Sequence, residues 1–291
     1  MEVEPLFHMS GLGAVVSCVG LAGWFVGSLY LWPDLHRIDR NSPVVIKRRF
    51  ASVGLACVTA VIYLYFWAND RDLGKVMEWM GVRTTGIIQA AIIPLALTMV
   101  LFAGPLAMTY YDDWFFHIQR GTLHTYLFDQ LKADVSSLIF WRNYVVGPFT
   151  EEWVFRSCMC PLLICGGFSW TQTIFLSPFF FGIAHMHHII QHLHKQGTEL
   201  KDAWAEVLFQ LFYTTVFGCY SAFLFLRTGH IVAPFLAHAF CNIMGFPAIE
   251  YIPSHPHKEK LYIAFVGGLI LFFVLLFPLT SPWLYSSLYD W

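Results

Sequence analysis

Three short patterns put polar side chains inside apolar runs. "EEWVFR" sets Glu151, Glu152 and Arg156 in a stretch that reads as a hydrophobic helix. "FGIAH" sets His185 four residues after Phe181, and "HAFCN" sets His238 and Asn242 four apart. A spacing of four places two side chains on one helix face, so Glu152 can pair with Arg156. Glu151 is turned about 100° from Glu152 and need not share its role. A charge in hydrocarbon costs about 2.5–3.5 kcal/mol or more, and it faces a cavity or a partner. An unpaired Glu151 is therefore harder to justify structurally than a paired Glu152. A carboxylate held away from bulk water can serve as a general base. A nearby His can hold and polarise a water, and a second His with an Asn amide can donate to a developing oxyanion. Together these groups make a hydrolase without a Ser or Cys nucleophile.

Plainer roles compete with that chemistry. Glu152 and Arg156 as a structural pair would serve to orient Glu151. A single intramembrane His is more often a satisfied core residue than a ligand. His187, His188, His192 and His194 follow His185 in "HMHHIIQHLH" and read as interfacial or supporting residues. His188 and His192 are i, i+4, which raises a metal site, but the H-E-x-x-H pattern of zinc proteases is absent. No metal or other cofactor is expected. Cys241 lies between His238 and Asn242 yet faces away from their shared stripe, which weakens a Cys-His nucleophile.

The elements that must carry these residues are membrane helices. The 291 residues are 57% apolar and 12% charged, with 28 Phe. Soluble domains run at about 45–50% apolar and about 25% charged. The net charge of −2 gives no sign of a nucleic-acid partner. The seven Cys lie in apolar segments and do not resemble a secreted disulfide framework. A spanning helix needs roughly 20 apolar residues, and eight segments qualify. They are Ala14–Trp32, Phe50–Trp67, Gly86–Tyr110, Asn143–Cys165, Trp170–Ile190, Trp204–Leu226, Ile231–Tyr251 and Leu261–Leu279. Pro94 and Pro105 mark kinks or boundaries in the third. The first lacks a basic leader and a cleavage site and reads as a signal-anchor helix. The first, second and eighth read as lipid-facing or scaffold helices, and the fourth, fifth and seventh carry the polar residues. "LHTYLFDQLKADVSSLIF" between the third and fourth has helical periodicity and is expected to lie along the interface.

Charge bias gives the orientation. Arg37, Arg40, Lys47, Arg48 and Arg49 lie between segments one and two; Arg120, Lys132, Arg142, Lys195, Lys201, Lys258 and Lys260 lie on the same side. Only Arg71, Lys75, Arg83 and Arg227 fall opposite. The loops one–two, three–four, five–six and seven–eight are expected in the cytosol and both termini in the lumen. Glu151 then lies roughly 12 Å deep, and His238 and Asn242 roughly 14–20 Å deep. The expected fold is all-α with about eight transmembrane helices, its polar site among helices four, five and seven and open to the cytosol. One integral membrane domain, 1–291, holds a catalytic core at about 143–251.

The ordered set E-E-x-x-x-R, F-x-x-x-H and H-x-x-x-N resembles the type II CAAX prenyl endopeptidases of the CPBP (Abi) family. "FRSCMCPLL", "HMHHII", "FLFLRTGH", "CNIMGFP" and "PVVIKRRF" resemble its eukaryotic members more than its bacterial ones. The resemblance implies a glutamate-dependent intramembrane protease of the endoplasmic reticulum. It would remove the last three residues of farnesylated or geranylgeranylated CaaX proteins, Ras-type small GTPases among them. Carried over, Glu151 is the base, His185 helps activate water, His238 and Asn242 form the oxyanion hole, and Glu152 and Arg156 support the site. Membrane lipid is the other expected partner. Phe179–Phe181 and Phe209, Phe212 and Tyr213 are candidate walls of a prenyl groove. A zinc protease using the His-rich run and a non-enzymatic scaffold are the competing classes; no inverted repeat supports a transporter.

Overall fold

The computed structural model describes residues 6–32, 38–185 and 200–289, with side chains in all of these except 183–185 and 200–207. Among the described residues the regular structure is helical, apart from one isolated antiparallel bridge between Phe7 and Ala68. Two long apolar helices come first, α1 (Gly11–Ser28) and α2 (Pro43–Trp67). Ser10 caps α1 by accepting from the Gly13 N–H at 3.1 Å, and Pro43 opens α2, where its missing N–H is harmless. A short α3 (Leu73–Trp79) leads into α4 (Ile87–Leu101) and then α5 (Ala103–Gln119). α6 (Leu123–Ser136) has no buried residue and exposes Leu127, Phe128, Leu131 and Val135.

The next element, α7, is a helical run from Leu138 to Cys165 interrupted by two π-helical stretches, Trp141–Val146 and Trp153–Cys158. α8 (Trp170–His185) starts on a capping box in which Ser169 Oγ accepts from the Gln172 N–H and the Gln172 side chain accepts from the Ser169 N–H. α9 (Leu200–Thr228), α10 (Val232–Met244) and α11 (Lys258–Leu279) complete the bundle.

Four helices are long and apolar enough to cross a membrane among the described residues: Gly11–Ser28, Pro43–Trp67, Leu208–Thr228 and Lys258–Leu279. A fifth is added if α4 and α5 form one broken span, bent by 76°. These helices make a multi-pass membrane protein. The sequence reading counted eight segments, and the difference lies in specific places. Its third segment breaks at Phe102, because Pro105 has no N–H for the Leu101 carbonyl; Pro94 is absorbed inside α4. Its seventh segment is α-helical for only 13 residues, Val232–Met244. Its fourth is the run divided by π-turns. The last five residues of its fifth, 186–190, lie outside the described residues.

The outer faces are apolar. On α11, Ile263, Val266, Ile270, Phe273, Val274 and Phe277 are all more than half exposed, as a bilayer-facing surface requires. The opposite edge of α11 packs closely on the α4–α5 bend. A Cβ on Gly268 would sit 2.6 Å from the Val100 carbonyl oxygen and 2.8 Å from Ala103 Cβ. This is the small-residue contact that lets membrane helices approach. Gly267, one residue earlier, has nothing within 4 Å of such a Cβ. Gly268→Leu is therefore expected to cost about 1–3 kcal/mol by overpacking, read as a lower thermal midpoint in detergent. Gly267→Leu should leave the midpoint unchanged, and equal shifts would refute the packing assignment.

Candidate active site

The site is organised by Glu152. Its side chain has no exposed surface. Arg156 Nη1 donates to Glu152 Oε1 at 3.0 Å, the i, i+4 pair that the spacing allows. The same oxygen lies 2.7 Å from His238 Nδ1 on α10, and Ser221 Oγ on α9 donates to Oε2 at 2.5 Å. Three donors from three helices meet one carboxylate. Since Nδ1 faces a pure acceptor, it carries the proton, and Nε2 is the ring's outward nitrogen.

Packing fixes Arg156 as well. Its guanidinium lies 4.9 Å from the Phe181 ring centroid, and Phe181 meets Phe155 edge-on at 5.0 Å. Gly218 makes the room. A Cβ there would sit 2.9 Å from Pro178 Cβ and 3.1 Å from Arg156 Nη2. The Phe180 and Phe181 side chains are thus core, not groove, whereas Phe209 and Phe212 are 52% and 68% exposed. None of these four rings lines the cavity described below.

Glu151 points elsewhere. Its side chain is 26% exposed, with Oε2 3.7 Å from His238 Nε2. It lines a cavity of about 400 Å³, within the usual range for small-ligand sites. Asn242 shares this cavity, and its walls include Phe25, Leu29, Phe50, Val53 and Phe155. α1 and α2, read from the sequence as scaffold or lipid-facing, therefore shape the site.

Asn242 is held by a gap in the helix it faces. In the first π-stretch the Gly147 N–H reaches back to the Arg142 carbonyl. The next N–H would serve Asn143, but position 148 is proline and has none. The freed Asn143 carbonyl accepts from Asn242 Nδ2 at 3.0 Å. One amide N–H of Asn242 is thereby committed and the other remains for a ligand. π-turns of this kind recur at functional sites.

The structure thus gathers Glu151, Glu152, Arg156, His238 and Asn242. His185 ends α8, and its side chain lies outside the described residues, as does the His-rich run His187–His194. Among the described residues no cluster of three or more His, Cys, Asp or Glu could hold a metal. All seven cysteines are free thiols, four of them buried. Sequence reasoning missed Ser221 and Asn143. A lone Ser in an apolar helix carries no signal. The Pro148 that exposes the Asn143 carbonyl was the legible clue.

Removing Arg156 leaves a buried carboxylate short of its cation. Arg156→Met is expected to cost about 3–5 kcal/mol, and Ser221→Ala about 1–3 kcal/mol. Thermal unfolding in detergent would rank them, and indistinguishable midpoints would remove Glu152 as the tie.

Residues 134–244 match the family described as type II CAAX prenyl endopeptidase Rce1-like. The chain is 42% identical over 280 residues to the Homo sapiens CAAX prenyl protease 2, covering 94% of this chain and 83% of that one. It is 36% identical over 292 residues to the Arabidopsis thaliana CAAX prenyl protease 2, covering 94% and 91%. The Caenorhabditis elegans CAAX prenyl protease 2 is 32% identical over 270 residues, covering 92% and 97%. No solved structure matches the chain. The matched stretch spans the helices that carry the Glu152 network and Asn242, and the likeness runs along nearly the whole length. The chain therefore belongs to the Rce1-like family of type II CAAX prenyl endopeptidases.

Proposed function

We propose that this protein removes the C-terminal aaX tripeptide from farnesylated or geranylgeranylated CaaX proteins, Ras-type small GTPases included. The relatives are named CAAX prenyl proteases, and that name covers nearly the whole of this chain. The observation that carries the chemistry is the different fate of two adjacent carboxylates. Glu152 is sealed and saturated with donors, while Glu151 faces a cavity beside His238 and Asn242.

Glu151 accepts a proton from water, and the hydroxide equivalent attacks the carbonyl carbon of the prenyl-cysteine. The developing oxyanion is met by Asn242 through its uncommitted amide N–H and by His238 through Nε2–H. Nδ1 already donates to Glu152, so the oxyanion role requires the doubly protonated ring. Glu151 then returns its proton to the departing amine, the C–N bond breaks, and water is split between the two products. Glu152 and Arg156 orient His238. His185 helps hold the water, a role taken from the family motif. The reaction needs no cofactor.

The protein is read as one domain, 1–291, of eight spans in the endoplasmic reticulum membrane, with its catalytic core at about 143–251 and its site open to the cytosol. Arg40 and Arg49 from the first basic loop region meet Arg142 from the second at one cavity. That convergence supports the orientation, because both regions carry the positive bias of the cytosolic side. Prenylated substrates approach from that side and anchor in the lipid.

The test is cleavage of a farnesylated CaaX peptide by purified protein in detergent with excess chelator. Wild type should turn it over, and Glu151→Gln should lose at least about a hundredfold, in the range of a general base, with an unchanged thermal midpoint. Turnover that chelator abolishes and zinc restores would move the chemistry to the His-rich run. Near-normal turnover by Glu151→Gln would remove its role.

A further inference from the structure

The cavity beside Glu151 is strongly unbalanced in charge. Its lining includes three guanidinium groups, Arg40, Arg49 and Arg142, against the one carboxylate of Glu151. Among the described residues no Asp or Glu lies within ion-pair distance of any of the three. Arg49 Nε is buried and has no hydrogen-bond partner. Such a group is costly unless a ligand satisfies it.

Arg142 is fixed in place. Its Nη1 donates to the Arg40 carbonyl and to Asn41 Oδ1, both at 3.0 Å, and its Nε donates to Asn143 Oδ1 at 2.9 Å. Held this way, the group loses little freedom on meeting an anion, and the two N–H groups of Nη2 remain to donate to one. Arg142 also adjoins Asn143, whose carbonyl anchors Asn242.

Resting on the protease reading above, we infer that Arg142 and Arg49, with Arg40 beside them, bind the free C-terminal carboxylate of the substrate's aaX tail, with its middle residues against Phe25, Val53 and Phe155. Every uncleaved CaaX chain ends in that carboxylate. The dimensions agree. Three extended residues span about 10 Å, and Arg142 precedes Glu151 on the same helical run by roughly 13 Å of axis. Both residues line the one cavity. The arginines would then act as a ruler that sets the cut three residues from the end.

The experiment compares kcat/KM for a farnesylated CaaX peptide with a free terminal carboxylate and for the same peptide as its C-terminal amide, in neutral detergent. Wild type should favour the acid by about tenfold or more, the scale of a charge-assisted pair. Arg142→Gln and Arg49→Gln should each collapse the acid-to-amide ratio toward one. Equal rates on acid and amide in wild type would overturn the assignment even if a variant failed to fold. So would variants that slow both peptides by one factor, as a lipid-headgroup site or a purely structural role would. Wild type that cleaves neither peptide would overturn the protease reading itself, and this inference with it.

Discussion

The structure depends on one buried carboxylate. Glu152 sits without solvent and accepts from Arg156 on its own helix, from Ser221 on α9 and from His238 on α10. In apolar surroundings each of these polar groups is expensive alone and tolerable only as a complete set. The requirement that they meet sets the relative positions of three helices. It also gives the imidazole a defined orientation, with Nδ1 inward and Nε2 toward Glu151. Glu151 directly precedes Glu152 on the chain but is turned to the cavity by the helical rotation. Two identical side chains thereby acquire separate environments.

Around this tie the helices depart from regularity where the site needs it. The π-turn at Trp141–Val146 and Pro148 together leave the Asn143 carbonyl without a helical donor, and Asn242 fills the vacancy. Gly218 removes a side chain where α9 crosses Pro178 and Arg156, so the guanidinium can sit over the Phe181 ring. Away from the site the irregularities serve packing. The break at Phe102 lets α4 and α5 fold against α11, with Gly268 at the contact. The remaining faces of α11 stay apolar and exposed, as lipid contact demands.

The cavity joins parts of the chain that are far apart. α1 contributes Phe25 and its C-cap Leu29, α2 contributes Arg49, Phe50 and Val53, and the connection between them contributes Arg40. These segments precede the motif-bearing helices by about a hundred residues of sequence. An apolar wall and a basic rim beside a carboxylate and an amide make a place where an apolar peptide with an anionic end fits. That combination is what an enzyme trimming lipid-anchored tails would use.

Composition and four-residue spacings determined a helical membrane protein, the Glu152–Arg156 pair and the family's ordered motifs, because each is a local property of one helix or of an average. They also marked Glu151, His238 and Asn242 as residues in need of a polar setting. Tertiary structure decided what that setting is. Ser221 has no local pattern that predicts a buried acceptor 69 positions away. Arg40, Arg49 and Arg142 read along the chain as charges that orient loops, and only folding turns them into one cavity lining. The Phe runs read equally as groove or core, and contact with Arg156 made Phe181 core. The number of spans stayed beyond composition too, since hydropathy cannot see a 76° bend or π-turns within an apolar run. Periodicity reports which face a side chain takes, and only the packing of other helices reports what that face meets.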